Sequence, residues 1–231
     1  MLRVGLTGGL GSGKSTVAAM LGKLGARVME SDELGRALME PGNAAFDQIV
    51  RVFGAPVVGA DGRLDRARLA ELAFKGGRVK ELNAIIHPAV IEAQREWMKQ
   101  VFAVDPNAVA VVVSALIFEV ERDAREGGAS TAAYAHFRKR IDRLVLVTAS
   151  EEEKIARYAA RVGQSGADRQ RSEADARSRL AHQIPDAEKV GRADYVIENN
   201  GDIGALRAQV EALWPRLRDE SNSRLKSESL E

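Results

Sequence analysis

Residues Gly8 to Ser15 read G-G-L-G-S-G-K-S and fit the pattern G-x-x-x-x-G-K-[ST]. Residue types at this spacing bind phosphate. The glycines let consecutive backbone N–H groups turn inward without a Cβ clash, Lys14 can reach the β and γ phosphates, and the Ser15 hydroxyl can hold Mg²⁺. Three further sets of residues could do chemistry. Asp32 is a carboxylate that could accept a proton or simply cap a helix. Arg157 and Arg161, four residues apart, would share a helix face and could clamp phosphates, or could pair in solvent with Glu151, Glu152 and Glu153. His87, followed by Pro88, could contact a substrate or pack at a helix end.

A phosphate loop needs a strand before it and a helix after it. Leu2 to Thr7 is an apolar run suited to a buried parallel strand, and Ser15 to Leu21 continues with apolar residues at helical spacing. Gly25 to Glu30 reads as a turn and a short strand, with Ser31-Asp32 as the cap of the next helix. Asp32 would then stand at the carboxyl edge of a parallel sheet, the edge that carries the phosphate loop. From Pro41 to about Gln100 the pattern is helical, broken at Phe53-Gly54-Ala55-Pro56 and at Asp61-Gly62. Asp65 is placed to cap the helix carrying Leu69, Leu72, Ala73 and Phe74, and Pro88 marks a helix boundary or a new first turn.

Val109 to Val113 is a β-branched run typical of a central strand buried on both faces. Arg122 to Arg140 reads as a long surface excursion, and Ile141 to Val147 resumes the sheet. Residues 150–184 form two charged helical segments around Gly163-Gln164-Ser165-Gly166, a composition suited to a lid. Ala193 to Glu198 is the last strand, a helix follows from about Ile203 to Trp214, and the polar tail at 216–231 is expected to be disordered.

The chain has 231 residues, of which 45% are hydrophobic, enough for one substantial core with appended subdomains. With 34 basic and 33 acidic residues the net charge is +1, which gives no whole-chain argument for nucleic-acid or membrane binding. The absence of cysteine excludes disulfides, thiol nucleophiles and zinc–thiolate sites. No stretch approaches the roughly 20 apolar residues of a membrane span, and no secretory leader pattern opens the chain. The expectation is a cytoplasmic enzyme acting on a small molecule, a monomer or weak homo-oligomer.

Phosphate loops serve switches, motors and small-molecule kinases alike. A GTPase would add N-K-x-D, which occurs nowhere in the chain, and Asp32-Glu33-Leu34-Gly35 matches D-x-x-G too soon after the loop to sense a γ-phosphate. A kinase needs an acceptor pocket, a base and mobile cations. The helical insertion, Asp32 and the arginines of the 150–184 segment are candidates for these parts. A nucleoside or nucleoside-monophosphate kinase would share this layout, and a nucleotide-binding module without turnover is a third reading.

The order of motifs narrows the choice. L-T-G-G-L-G-S-G-K-S-T, the Asp32 region, A-D-G-R-L-D-R-A-R-L, Leu82 to Pro88, A-L-I-F-E ending at Glu119 and A-D-Y-V-I-E-N-N-G from Ala193 to Gly201 together resemble the dephospho-coenzyme A kinase family over roughly residues 2–205. The resemblance implies a P-loop NTPase fold, three layers α/β/α with a five-stranded parallel sheet of the nucleoside-monophosphate-kinase type. A core of residues 1–32, 105–148 and 190–215 would carry a helical CoA-binding insertion at 33–104 and a helical lid at 150–188. It implies ATP-dependent phosphorylation of the ribose 3′-hydroxyl of dephospho-CoA, with Mg²⁺.

Carried over by position, Gly11, Ser12, Gly13, Lys14, Ser15 and Thr16 match the ATP-binding loop, and Lys14 the lysine that neutralises the transferred group. Asp32 matches the base, Arg157 the lid arginine that approaches the phosphates, Arg161 a second arginine, and His87 the acceptor-side H-P motif. The chain departs from the family pattern at Glu30, where aspartate is usual, at Val113, where an aspartate often ends the strand, and at Ala115, where proline is usual. Mg²⁺ would then depend on Ser15, ATP oxygens and water, with help from Asp32. The stretches at 122–140 and 163–172 are insertions, and Arg169 and Arg171 in the second could alter lid closure or stay solvated.

Overall fold

A computed structural model describes residues 1–126, 134, 136–163 and 166–228. The chain divides into two compact units, one of Met1–Met29, Met98–Glu119 and Phe137–Glu231, the other of Glu30–Trp97 and Val120–His136. The helical unit thus starts at Glu30, ahead of the expected insertion, and takes in a second segment around residues 120–136.

The first unit carries the sheet. Strands β1 (Leu2–Gly8), β2 (Arg27–Glu30), β3 (Val109–Val113), β4 (Arg143–Thr148) and β5 (Tyr195–Glu198) lie in the order β2-β3-β1-β4-β5. The expected five-stranded parallel sheet is present: β1 runs parallel to β3, with Leu6 opposite Val113, and to β4, with Gly8 opposite Val147, while β4 runs parallel to β5. All five residues of β3 are buried, as the β-branched run predicts. Helices α1 (Lys14–Leu24) and α10 (Ile203–Glu228) contribute Val17, Leu21, Leu206, Val210, Leu213 and Leu217 to a cluster with Leu2, Val4, Leu6, Val111 and Val145. Each such buried side chain is worth about 1.5–3 kcal/mol.

One expectation fails in this unit for packing reasons. The polar tail expected to be disordered is helical through Glu228, and the last three residues lie outside the described ones. The stripe Leu206, Val210, Leu213, Leu217 continues at helical spacing into Ser221, which is fully buried and donates to the carbonyls of Asn107 and Ala108 at 2.9 and 3.2 Å. Arg224 then meets Asp142 at 2.7 Å. The excursion at 122–140 begins as the end of helix α6 (Ile117–Glu126), and its far end returns to the core. Phe137 is 2% exposed and packs edge-on to Phe118 with centroids 5.5 Å apart. Residues 127–133 and 135 of that insertion lie outside the described residues.

The helical unit packs α2 (Ser31–Leu38), α3 (Ala44–Phe53), α4 (Arg66–Ala70), a π-turn at Glu71–Lys75 and the first part of α5 (Val79–Val104). Its core is Ile49, Phe53, Val57, Leu69 and Ala73, with Leu82, Ile85 and Ile86 against it. Asp61-Gly62 makes the expected turn, a bridge between Val58 and Leu64 closing it. Asp65 caps α4 as expected, its carboxylate accepting from the Arg68 N–H at 2.9 Å. Pro88 does not end a helix: α5 runs through it unbroken. An interior proline costs about 3 kcal/mol, and the burial of Leu82, Ile85 and Ile86 before it and of Ile91 after it offsets that cost.

Candidate active site

Central strand β1 delivers its last residue, Gly8, to the loop, and α1 starts at Lys14. The chain steps from β1 outward to β2, back to β3, then across to β4 on the other side. The loop therefore opens at the switch point of the sheet, where parallel α/β folds bind ligands. Gly13 precedes α1 with φ +97°, and no side chain caps the helix. The positive end of the α1 dipole and its first-turn N–H groups define an anion site. The Lys14 ammonium donates to the carbonyls of Gly8 and Gly9 at 2.9 and 3.0 Å, which holds it over the loop. Ser15 and Thr16 are exposed in the first turn of α1, and the buried Ser12 hydroxyl has no hydrogen-bond partner among the described residues.

The neighbours of the loop explain its glycines. A Cβ on Gly11, at φ +73°, would overlap the main-chain carbonyl of Lys154. A Cβ on Gly13 would collide with the side-chain amide of Asn199, which donates to the Ser12 carbonyl at 2.8 Å. The Leu10 N–H donates to Gln183 Oε1 at 3.1 Å. Sequence reasoning assigned no role to Asn199, Gln183, Lys154 or Leu10. Asn199 could have been marked, since it lies in the quoted A-D-Y-V-I-E-N-N-G stretch, whereas nothing in the sequence near Gln183 or Lys154 points to the loop.

Helices α7 (Glu151–Val162) and α8 (Gly166–Ala181) are the two charged segments expected there, with Ser150 capping α7. Residues 164 and 165 of the predicted lid tip lie outside the described residues. Arg157 pairs with Glu153 at 3.1 Å, while its Nη1 is buried without a hydrogen-bond partner among the described residues. Arg161 lies over the Tyr158 ring, 5.6 Å from its centroid, while the Tyr158 hydroxyl donates to Asp175, which pairs with Arg179 at 2.9 Å. Arg169 is exposed and pairs with Glu173 at 3.4 Å. Farther along, a fully buried Lys189 meets Glu119 at 3.2 Å, and the same Glu119 oxygen accepts the Ile184 N–H at 3.0 Å. The glutamate of the A-L-I-F-E motif thus anchors the chain returning from α8.

The acceptor-side candidates lie in the helical unit. Asp32 is the second residue of α2, so it is not the N-cap; Glu30 holds that place, and no side chain caps the helix. Its carboxylate is exposed and has no hydrogen bond or ion pair among the described residues. Ser31, which precedes it, is buried and accepts from Gln94 Nε2 at 2.9 Å, which fixes the start of α2 against α5. His87 lies inside α5, not at a helix end, and lines a cavity of about 180 Å³ with Asn83, Pro88, Asp123 and Tyr134. Burial pushes its pKa down, and the Asp123 carboxylate partly opposes that shift. Among the described residues no three histidine or acidic side chains are grouped to hold a metal ion.

A phosphate loop at the switch point of a five-stranded parallel sheet, with flanking helices and a charged helical pair after β4, defines a protein of the P-loop NTPase fold. The sequence pattern of the family described as Dephospho-CoA kinase matches residues 2–205, and the chain belongs to that family, whose members are kinases. The dephospho-CoA kinase of Syntrophotalea carbinolica is 40% identical over 94% of this chain and 92% of its own length. That of Anaeromyxobacter dehalogenans is 39% identical over 96% and 95%. A crystal structure from Thermus thermophilus, 32% identical, aligns over 94% of this chain and 97% of that one with a TM-score of 0.68. The dephospho-CoA kinase structure from Campylobacter jejuni, 19% identical, shares the fold with a TM-score of 0.63 over 94% and 97%. No helix of the described residues is long and apolar enough to cross a membrane.

Proposed function

We infer that this chain transfers the γ-phosphoryl group of ATP to the 3′-hydroxyl of the dephospho-CoA ribose, giving CoA and ADP, the last step of coenzyme A biosynthesis. The observation that carries the inference is the loop from Gly8 to Lys14 in a chain that matches the family over residues 2–205. Gly11, Ser12, Gly13, Lys14, Ser15 and Thr16 bind the ATP phosphates through backbone N–H groups and hydroxyls. Lys14 turns from the loop carbonyls to the transferred group. Arg157, with one guanidinium nitrogen held by Glu153 and another without a partner among the described residues, adds positive charge as the phosphoryl moves.

Asp32 accepts the proton of the 3′-hydroxyl as the new O–P bond forms and the bond to the β-phosphate bridging oxygen breaks. Its carboxylate, exposed and without a partner among the described residues, supports that role, because a base must be free to meet the acceptor. His87 and Arg161 bind the acceptor. The Ser15 hydroxyl, a hard oxygen exposed at the start of α1, suits Mg²⁺, which takes few protein ligands beside phosphate oxygens and water. Bound there, Mg²⁺ would neutralise phosphate charge. The same reading makes this a cytoplasmic enzyme for a small-molecule substrate, a monomer or weak homo-oligomer, which sedimentation would check.

The test is direct. Protein incubated with Mg-ATP and, separately, dephospho-CoA, pantetheine, adenosine or AMP is followed by mass for gain of one phosphate. Transfer to dephospho-CoA alone is the expected result. Transfer to AMP or adenosine in its place would make the chain a nucleotide or nucleoside kinase, and nucleotide binding without transfer would make it a binding module.

A further inference from the structure

Phosphate is held in a loop of this kind by backbone groups, so the side chain of Leu10 is not needed for that contact. It packs instead against the cluster of three buried residues, Ile155 and Tyr158 of α7 and Ala176 of α8, against which Leu180 also packs. Other contacts close around the same corner. The Leu10 N–H is bonded to Gln183 in the segment leaving α8. The Gly11 backbone lies so close to the Lys154 main chain that no Cβ fits between them. The nearly buried Lys154 ammonium pairs with Asp186 of α9 (Asp186–Val190), beside Gly9. Lys154 and Arg157 are three residues apart on α7, so the helix face seated on the loop is also the face that carries Arg157.

We propose that Leu10 is a positioning residue for phosphoryl transfer. It is the peg by which the phosphate loop seats the α7–α8 pair, and it thereby fixes where Arg157 stands relative to the phosphates that the loop binds. This rests on the reading of Arg157 as a cation for the transferred group. Truncating the peg leaves a cavity among Ile155, Tyr158 and Ala176, into which α7 can shift. A shift of an ångström at a charge-stabilising group is enough to slow the reaction about a hundredfold.

A double-mutant cycle on the full-length enzyme tests this, with kcat and both KM values measured for wild type, Leu10→Ala, Arg157→Ala and the double variant. Leu10→Ala is expected to lower kcat about tenfold or more with the acceptor KM within about twofold, and to add less than about twofold once Arg157 is absent. Leu10→Met, which refills the volume, is expected to restore kcat to within about threefold. Should Leu10→Ala not fold, Leu10→Val carries the same cycle with the same criterion of non-additivity. Losses that multiply in the double variant overturn the role of Leu10 while leaving that of Arg157 standing. A wild-type kcat for Arg157→Ala overturns the reading of Arg157 and the proposal with it.

Discussion

Lys14 and Asp32 carry different parts of the proposed reaction, and their substitutions should separate. Lys14 hangs over the loop on two carbonyls and contributes charge, so Lys14→Ala should lower kcat by about a hundredfold or more while the far-UV spectrum stays that of the wild type. Asp32→Asn keeps the shape of an exposed helical residue and removes only the proton acceptor. It should lower kcat about 10²- to 10⁴-fold with KM for ATP unchanged, and near-normal turnover would remove Asp32 from the mechanism. His87 offers a pH measurement. Burial lowers its pKa, so the folded state binds the proton less readily than the unfolded chain. Its contribution to stability is present above about pH 6.5 and is lost as pH falls below that value. An NMR titration should place the His87 midpoint below 6.5, and His87→Gln should flatten the acid limb of stability between about pH 6.5 and the folded midpoint.

At the scale of elements, legibility depended on whether the signal was local. The Asp65 cap needs only its own helix, and it was read from the sequence. Asp65→Ala should cost about 1 kcal/mol, seen as a lower denaturation midpoint with the denaturant slope preserved. The strands were equally legible, because β-branched runs such as Val109–Val113 are decided by burial on both faces. Pro88 runs against its local signal, since a local rule ends the helix there while packing on either side carries α5 through. Asp32 was read as a candidate cap because an aspartate after a strand commonly is one. Its true place, two positions past the cap at Glu30, accompanies Ser31 being held by Gln94, 63 positions away.

At the scale of the molecule, the C-terminal helix is the clearest case of structure that polarity concealed. Asp142 gathers Arg3 and Arg224. Burial pushes its carboxyl up, but bonds from the side chain and backbone of Arg3 and from Arg224 outweigh this and hold it at about 2. A depressed carboxyl contributes stability above its unfolded value of 3.8 and loses it as pH falls through about 2. Thermal unfolding followed from pH 5 to about pH 2 should show this loss, and Asp142→Asn should remove most of that slope. The sequence by itself determined the phosphate loop, the parallel-sheet class and the family, because these rest on residue types at fixed short spacings and on strands whose burial dictates their composition. Only the tertiary structure decided that Leu10, Lys154, Gln183 and Asn199 surround the loop, that Glu119 anchors Lys189, and that a polar tail is a packed helix. Those contacts join residues far apart in the chain, and a side chain's partner at such a distance is set by how the elements pack, which no local pattern records.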